Sequence, residues 1–184
     1  FYQQPQQTDV LWLHLVSVGE TVAAKPIVMA LLEQHPQQKL LITGMTPSGS
    51  AQIRQLFGER VLHCYAPYDL PWCVNRFLRH YQPRLLAIME TELWPNTIAA
   101  CASRKMPDCL LNARLSARSA KGYARIASVT RPMLNQLSWV AAQSDADAQR
   151  LLHLGVAPQA LEVTGSVKFD LSIPEDIAQR GQRL

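Results

Sequence analysis

The stretch WLHLVSVGETVAAKPIVMALL, residues 12–32, decides how the rest of the chain is read. An apolar run reaches Val16, passes through Ser17, Val18 and Gly19, and becomes a helical pattern that carries Glu20 in its first turn. A strand that gives way at once to a helix is a βα unit, and Ser17 or Gly19 marks the helix start. Glu20 there complements the positive end of the helix dipole for about 0.3–1 kcal/mol. In open α/β sheets, however, ligands sit beyond the carboxyl ends of the strands, so the same carboxylate also faces a crevice. The motif alone leaves both readings of Glu20 open. The dipole lowers the pKa of such a group and desolvation raises it.

Apolar runs of strand length recur outward from this unit: VLWLHLV, KLLIT, RVLHCY, RLLAIM, DCLLN, WVAAQ and LEVTG. They are continuous rather than alternating, as strands buried on both faces of a parallel sheet require. Helical patterns fill the gaps, with start signals at Thr46–Pro47, at Asp69 before Pro71, and at Ser144 with Asp147 three residues on. The predicted fold is α/β, a Rossmann-like doubly wound, mostly parallel sheet of about seven strands with about six helices. Residues 1–8 read as a polar lead-in, 9–170 as the Rossmann-like domain and 171–184 as the start of a linker or helix.

Composition agrees with a globular α/β domain. Of 184 residues, 48% are hydrophobic and 17% charged, enough for a chain of this size to bury roughly 70% of its unfolded surface. No apolar run approaches the ~20 residues that span a bilayer. Cys64, Cys73, Cys101 and Cys109 form no C-x-x-C pair and have no histidine at zinc spacing, so they read as reduced core thiols. The net charge is +4, but no acid lies between Asp108 and Asp145, where Arg114, Arg118, Lys121, Arg125 and Arg131 fall. One surface is expected to be basic.

The loops after the strands carry the candidate chemistry. TGMTPSGS, after the second run, offers Thr46 and Ser48 at a helix start. It lacks the lysine of a P-loop, and no G-x-G-x-x-G follows the first strand, so a capped helix start competes with a site for phosphate or sugar hydroxyls. METELWPN places Glu90 and Glu92 where a buried strand emerges, beside Trp94. Half-buried acids are costly without partners, so either they bond loop N–H groups and an arginine, or they serve a site. In NARLSARSAKGYAR the cations Arg114, Arg118, Lys121 and Arg125 stand four, three and four apart, which lines one helical face. That face is a solvated surface or a phosphate-binding one. With only Tyr123 interleaved, stacking on single-stranded nucleic acid is disfavoured. His14, His35, His63, His80 and His153 show no ligand spacing and read as structural, and no G-x-S-x-G elbow occurs.

Taken in order, HLVSVGETVAAKP, TGMTPSGS, YAPYDLP, METELWPN, NARLSARSAKGYAR, AAQSDADAQRLLHLG and VTGSVKFD closely resemble the 3-deoxy-D-manno-octulosonic acid (Kdo) transferase family over nearly the whole chain. The resemblance implies the N-terminal, acceptor-side half of a GT-B glycosyltransferase. Such an enzyme moves Kdo from CMP-Kdo to a lipid A precursor, lipid IVA, with inversion and without a metal or a further cofactor. By the family motif Glu20 is the catalytic base, with Gly19 clearing room for the sugar. Thr46, Ser48, Glu90, Glu92, Arg114, Arg118, Lys121 and Lys168 are the implied substrate-binding residues, Lys168 lying near the expected hinge between lobes. The resemblance further implies a membrane anchor before Phe1 and a CMP-Kdo-binding domain after Leu184. The expected location is the cytoplasmic face of the bacterial inner membrane, with an anionic membrane surface and no nucleic acid as partner. Two other readings compete: another GT-B nucleotide-sugar enzyme, and a non-enzymatic module that binds anionic lipid through the cationic stripe.

Overall fold

Seven parallel strands, in the order β3-β2-β1-β4-β5-β6-β7, form the sheet of the computed structural model, which describes residues 8–167. In chain order the elements are β1 (Val10–His14), α1 (Val18–Gln34), β2 (Lys39–Gly44), α2 (Pro47–Phe57), β3 (Leu62–Tyr65), α3 (Pro71–Tyr81) and β4 (Pro83–Met89). The chain continues through α4 (Pro95–Ser103), β5 (Asp108–Ala113), α5 (Ala117–Arg125), α6 (Ala127–Leu134), β6 (Trp139–Ala142), α7 (Asp145–Leu154) and β7 (Leu161–Val163). The strand order reverses between β1 and β4, where the loops after these two strands part to opposite faces and leave a crevice.

The continuous apolar strands divide their side chains between two cores. Leu13, Leu15, Leu40, Ile42 and Met89 meet Ala24 and Val28 of α1 and Ile53 and Phe57 of α2 on one face. Val10, Trp12, Leu41, Leu86, Ile88 and Val140 meet Phe77 of α3, Ile98 of α4, Leu134 of α6 and Leu151 of α7 on the other. Each such fully buried side chain contributes roughly 1.5–3 kcal/mol of transfer free energy. Period-two alternation therefore exists in β1, but both of its faces are apolar.

Details differ from the sequence reading. The third strand begins at Leu62, because Gly58–Arg60 form a short 3₁₀ turn. Seven α-helices, not about six, occur among the described residues, because the β5–β6 crossover holds both α5 and α6. The break is at Ile126 (φ −114°, ψ 39°), and the Thr130 hydroxyl takes up the Tyr123 carbonyl at 3.1 Å. Arg114 precedes α5, so it is not part of the helical face carried by Arg118, Lys121 and Arg125. Asp69 does not cap α3, whose N-cap is Leu70. Instead its carboxylate accepts from the Asn96 and Thr97 N–H groups at 3.0 and 2.8 Å, capping α4 from a remote loop.

Candidate active site

Ser17 is the N-cap of α1, and with Glu20 it forms a capping box. The Ser17 hydroxyl accepts from the Glu20 N–H at 3.2 Å and donates to Glu20 Oε1 at 2.8 Å, while Oε2 accepts from the Val16 N–H at 2.8 Å. The carboxylate is thus held rigidly beyond the carboxyl end of β1, with the residue only 6% exposed. Burial raises the Glu20 pKa above its usual value of 4.5; the bonds from Val16 and Ser17 oppose this, and the nearby charges of Glu92 and Glu90 add to it. Desolvation therefore outweighs the hydrogen bonds that favour the charged form. A β-carbon on exposed Gly19 would meet nothing nearer than Ser17 Oγ at 3.8 Å, so chain packing does not require glycine there.

Glu90 and Glu92 arrive from the end of β4. Glu90 adopts φ +55° and donates its N–H to the Leu111 carbonyl at 2.8 Å, which turns the chain out of the sheet while the ladder to β5 is still satisfied. Glu92 Oε2 accepts a long 3.4 Å bond from the Trp94 indole N–H. Trp94 in turn stands edge-on to His14, ring centroids 5.0 Å apart. Tyr123 of α5 also belongs to this neighbourhood, its pKa raised by burial and by the charge of Glu92. Thr91 ties the loop to the next one: its hydroxyl donates to the Arg114 carbonyl and accepts from the Arg114 N–H. Arg114 is therefore anchored by its backbone beside the acidic loop, with its side chain exposed.

The structure thus brings Glu20, Glu90 and Glu92 together at one edge of the sheet. Salt bridges such as Arg84–Asp9 and Arg150–Asp147 lie elsewhere, and none of the three acids is ion-paired among the described residues. The arginine expected of a purely structural acid pair is missing from that set. Thr46 is the N-cap of neighbouring α2 and Ser48 lies in its first turn, where the Thr46 hydroxyl accepts from the Gly49 N–H at 3.1 Å. A β-carbon on Gly49 would come within 3.5 Å of the Val16 carbonyl, so this turn packs directly against the one that carries Glu20. Arg118, Lys121 and Arg125 project from α5, which buries none of its residues. Lys168 lies outside the described residues. Among the described residues no group of three or more His, Cys, Asp or Glu could hold a metal, and no helix is long and apolar enough to cross a membrane.

Sequence reasoning missed three participants. His14 shows as a lone histidine in an apolar run, the Asp69 cap joins segments 27 residues apart, and the β3–α3 loop and the start of α3 expose Tyr68 (74%) and Trp72 (63%). Only the last left a signal, in the aromatic residues of YAPYDLPW.

A Rossmann-like sheet of this order, with a cluster of carboxylates at its switch point, is one half of a GT-B-like fold. Solved structures agree: a UDP-GlcNAc 2-epimerase from Neisseria meningitidis superposes with TM-score 0.62 at 16% identity, over 96% of this chain and 54% of that one. A glycosyltransferase from Rickettsia africae gives 0.57 at 15%, over 95% and 49%. The model of the family described as 3-deoxy-D-manno-octulosonic-acid transferase (kdotransferase) matches residues 1–171, and the chain belongs to that family. It is 39% identical over 170 residues to a 3-deoxy-D-manno-octulosonic acid transferase of Haemophilus influenzae, covering 92% of this chain and 40% of that protein. To that of Bordetella pertussis it is 40% identical over 170 residues, covering 90% and 39%. The chain thus spans about two fifths of the length of these relatives.

Proposed function

We propose that this chain is the acceptor-side half of an inverting, metal-independent transferase that moves Kdo from CMP-Kdo to a lipid A precursor, with Glu20 as general base. The observation that carries the reading is the meeting of Glu20, Glu90 and Glu92 at the switch point with no ion-paired cation among the described residues. A carboxylate has about four acceptor sites, and two of those on Glu20 are taken by Val16 and Ser17, which leaves capacity for an incoming hydroxyl. In the reaction that hydroxyl oxygen forms the bond to the anomeric carbon and gives its proton to Glu20. The bond to CMP breaks, and the nucleotide leaves with the electron pair. The raised pKa makes Glu20 a stronger base than an exposed glutamate, and a fixed geometry supports the transfer.

Glu90 and Glu92 suit hydrogen bonding to acceptor hydroxyls, and the Thr46–Ser48 turn suits its sugar or phosphate groups. Arg114, Arg118 and Lys121 suit the phosphates of the acceptor or of an anionic membrane surface. CMP-Kdo is assigned to a second lobe, and Lys168 suits the donor's phosphate or carboxylate. No cofactor besides the donor is invoked, no nucleic acid is a partner, and the site of action is the cytoplasmic face of the bacterial inner membrane.

The deciding experiment is Glu20→Gln in the full-length protein, assayed with CMP-Kdo and lipid acceptor. We expect turnover to fall by roughly 10²- to 10⁴-fold with acceptor binding retained. Unchanged turnover in a folded variant removes the base assignment. The exposed stripe of α5 favours a second reading as an anionic-lipid-binding module; absence of transfer by the wild-type protein, with retained vesicle binding, would select it. The likeness to a UDP-GlcNAc 2-epimerase keeps another sugar-nucleotide class in play, so UDP-sugars belong in the same assay.

A further inference from the structure

His14 is paired in register with Thr43 on β2 and Ile88 on β4, next to the switch point. It is buried in the sheet, 4% exposed. Its Nδ1 lies 2.9 Å from Thr43 Oγ1, which also accepts from the Trp12 indole N–H at 2.8 Å. The Thr43 hydroxyl thus bridges the Trp12 indole and the His14 ring, the direction of the second bond following the imidazole tautomer. Nε2 is buried and has no hydrogen-bond partner among the described residues. A buried polar atom left unpaired costs about 1–3 kcal/mol, and an aliphatic residue would avoid the cost.

What the ring does instead is pack. It meets Trp94 at 5.0 Å with an interplanar angle of 81°, and the two share the walls of a cavity of about 10 Å³ with Ala66, Pro67 and Thr97. Such a gap has room for little more than one water, so the indole has little freedom to swing. The same indole carries the N–H that reaches Glu92 Oε2.

We propose that His14 is a positioning residue: through its edge-on contact it fixes the Trp94 indole, which holds the Glu92 carboxylate beside Glu20. The contact links the hydrogen-bonded triplet Trp12–Thr43–His14, rooted in the sheet, to a loop carboxylate that no cation anchors among the described residues. Burial lowers the His14 pKa to about 4, only partly opposed by Asp69, so the ring is neutral at physiological pH and acts by shape alone. The charged groups facing the far end of the relay are Glu20, Glu90 and Glu92, with the Tyr123 hydroxyl beside Glu92. The inference rests on these acids forming the site, but not on which of them is the base.

The test titrates Glu20 in the protein labelled with ¹³C at glutamate carboxyls, a readout independent of turnover. Glu92 raises the Glu20 pKa by its charge. Releasing it should therefore move the Glu20 midpoint to lower pH. We expect that shift in His14→Ala and in Trp94→Phe, which keeps a ring against His14 but lacks the N–H. In His14→Phe, which retains the ring edge, the wild-type midpoint should persist. An unmoved midpoint in Trp94→Phe, or a His14→Phe midpoint displaced as far as that of His14→Ala, overturns the relay. If His14→Ala does not fold, the other two variants still decide it. Failure of the base assignment would appear separately, as undiminished turnover in Glu20→Gln with these midpoints as expected.

Discussion

Glu20 Oε2 lies 2.8 Å from the Val16 backbone nitrogen, so the proposed base also fastens the first turn of the helix that carries it. Rigidity and chemistry thus share one side chain, and their energetic contributions can be separated by pH.

Burial holds the Glu20 pKa above 4.5, so the folded state keeps its proton longer than the unfolded chain does. Between the two pKa values the native state binds more protons, and stability contributed by this group falls as pH rises through the folded value. Glu20→Gln keeps an amide oxygen for Val16 but cannot ionise. Its stability relative to wild type should therefore grow from about pH 4.5 upward in urea unfolding curves. Glu20→Ala loses the box itself and should cost about 1 kcal/mol. A Gln variant whose relative stability declines over that window contradicts the assignment.

His14 has the opposite sign. Its folded pKa near 4 lies below the ordinary 6.5, so the unfolded chain binds more protons between those values. Stability is present above pH 6.5 and lost as pH falls toward 4. His63, lowered chiefly by burial, contributes in the same sense, so His14→Phe should flatten the acid slope only in part. A slope identical to wild type would show that His14 does not titrate as described.

Asp69 binds the β3–α3 loop to the start of α4 through the N–H groups of Asn96 and Thr97, the Thr97 hydroxyl and the Asn96 amide. Asp69→Ala leaves those donors without their acceptor and should destabilise by about 1–3 kcal/mol. Guanidinium unfolding reads this as a lower midpoint at unchanged m-value. Loss of less than half a kilocalorie, on the order of an exposed surface change, would mean water replaces the cap at no cost.

Arg118, Lys121 and Arg125 stand on a helix that buries none of its residues, so their replacement should leave folding unchanged. Each alanine substitution should weaken binding to phosphatidylglycerol vesicles by roughly fivefold, at ~1 kcal/mol per cation near an anionic surface. Sedimentation at rising salt should abolish the difference. Equal binding by the triple variant at low salt would place the lipid contact elsewhere.

Gly155 ends α7 at φ +118°, and a β-carbon there would stand 2.6 Å from Arg131 Cγ and 3.2 Å from its Cα. Gly155→Ala should cost about 1–3 kcal/mol, through backbone conformation and displacement of Arg131. A thermal midpoint within a degree of wild type would argue against this.

Local sequence pattern sets the strands, most helix starts and the residue types at the strand ends. Continuous apolar runs, the Thr46–Pro47 start and the Ser144–Asp147 pairing all act within a few residues, and the last two appear as written. The Ser17–Glu20 pair has capping-box spacing too, but which N–H its carboxylate takes is settled only in the fold. Tertiary structure decided what those residues meet. Parallel crossovers carry every strand's carboxyl end to one edge, so Glu90 and Glu92 reach Glu20 across some seventy positions, and no local pattern encodes that meeting. Nor could periodicity place Asp69 on another helix or take Arg114 off its own, because a carboxylate or a backbone N–H bonds whatever the fold delivers within 3 Å.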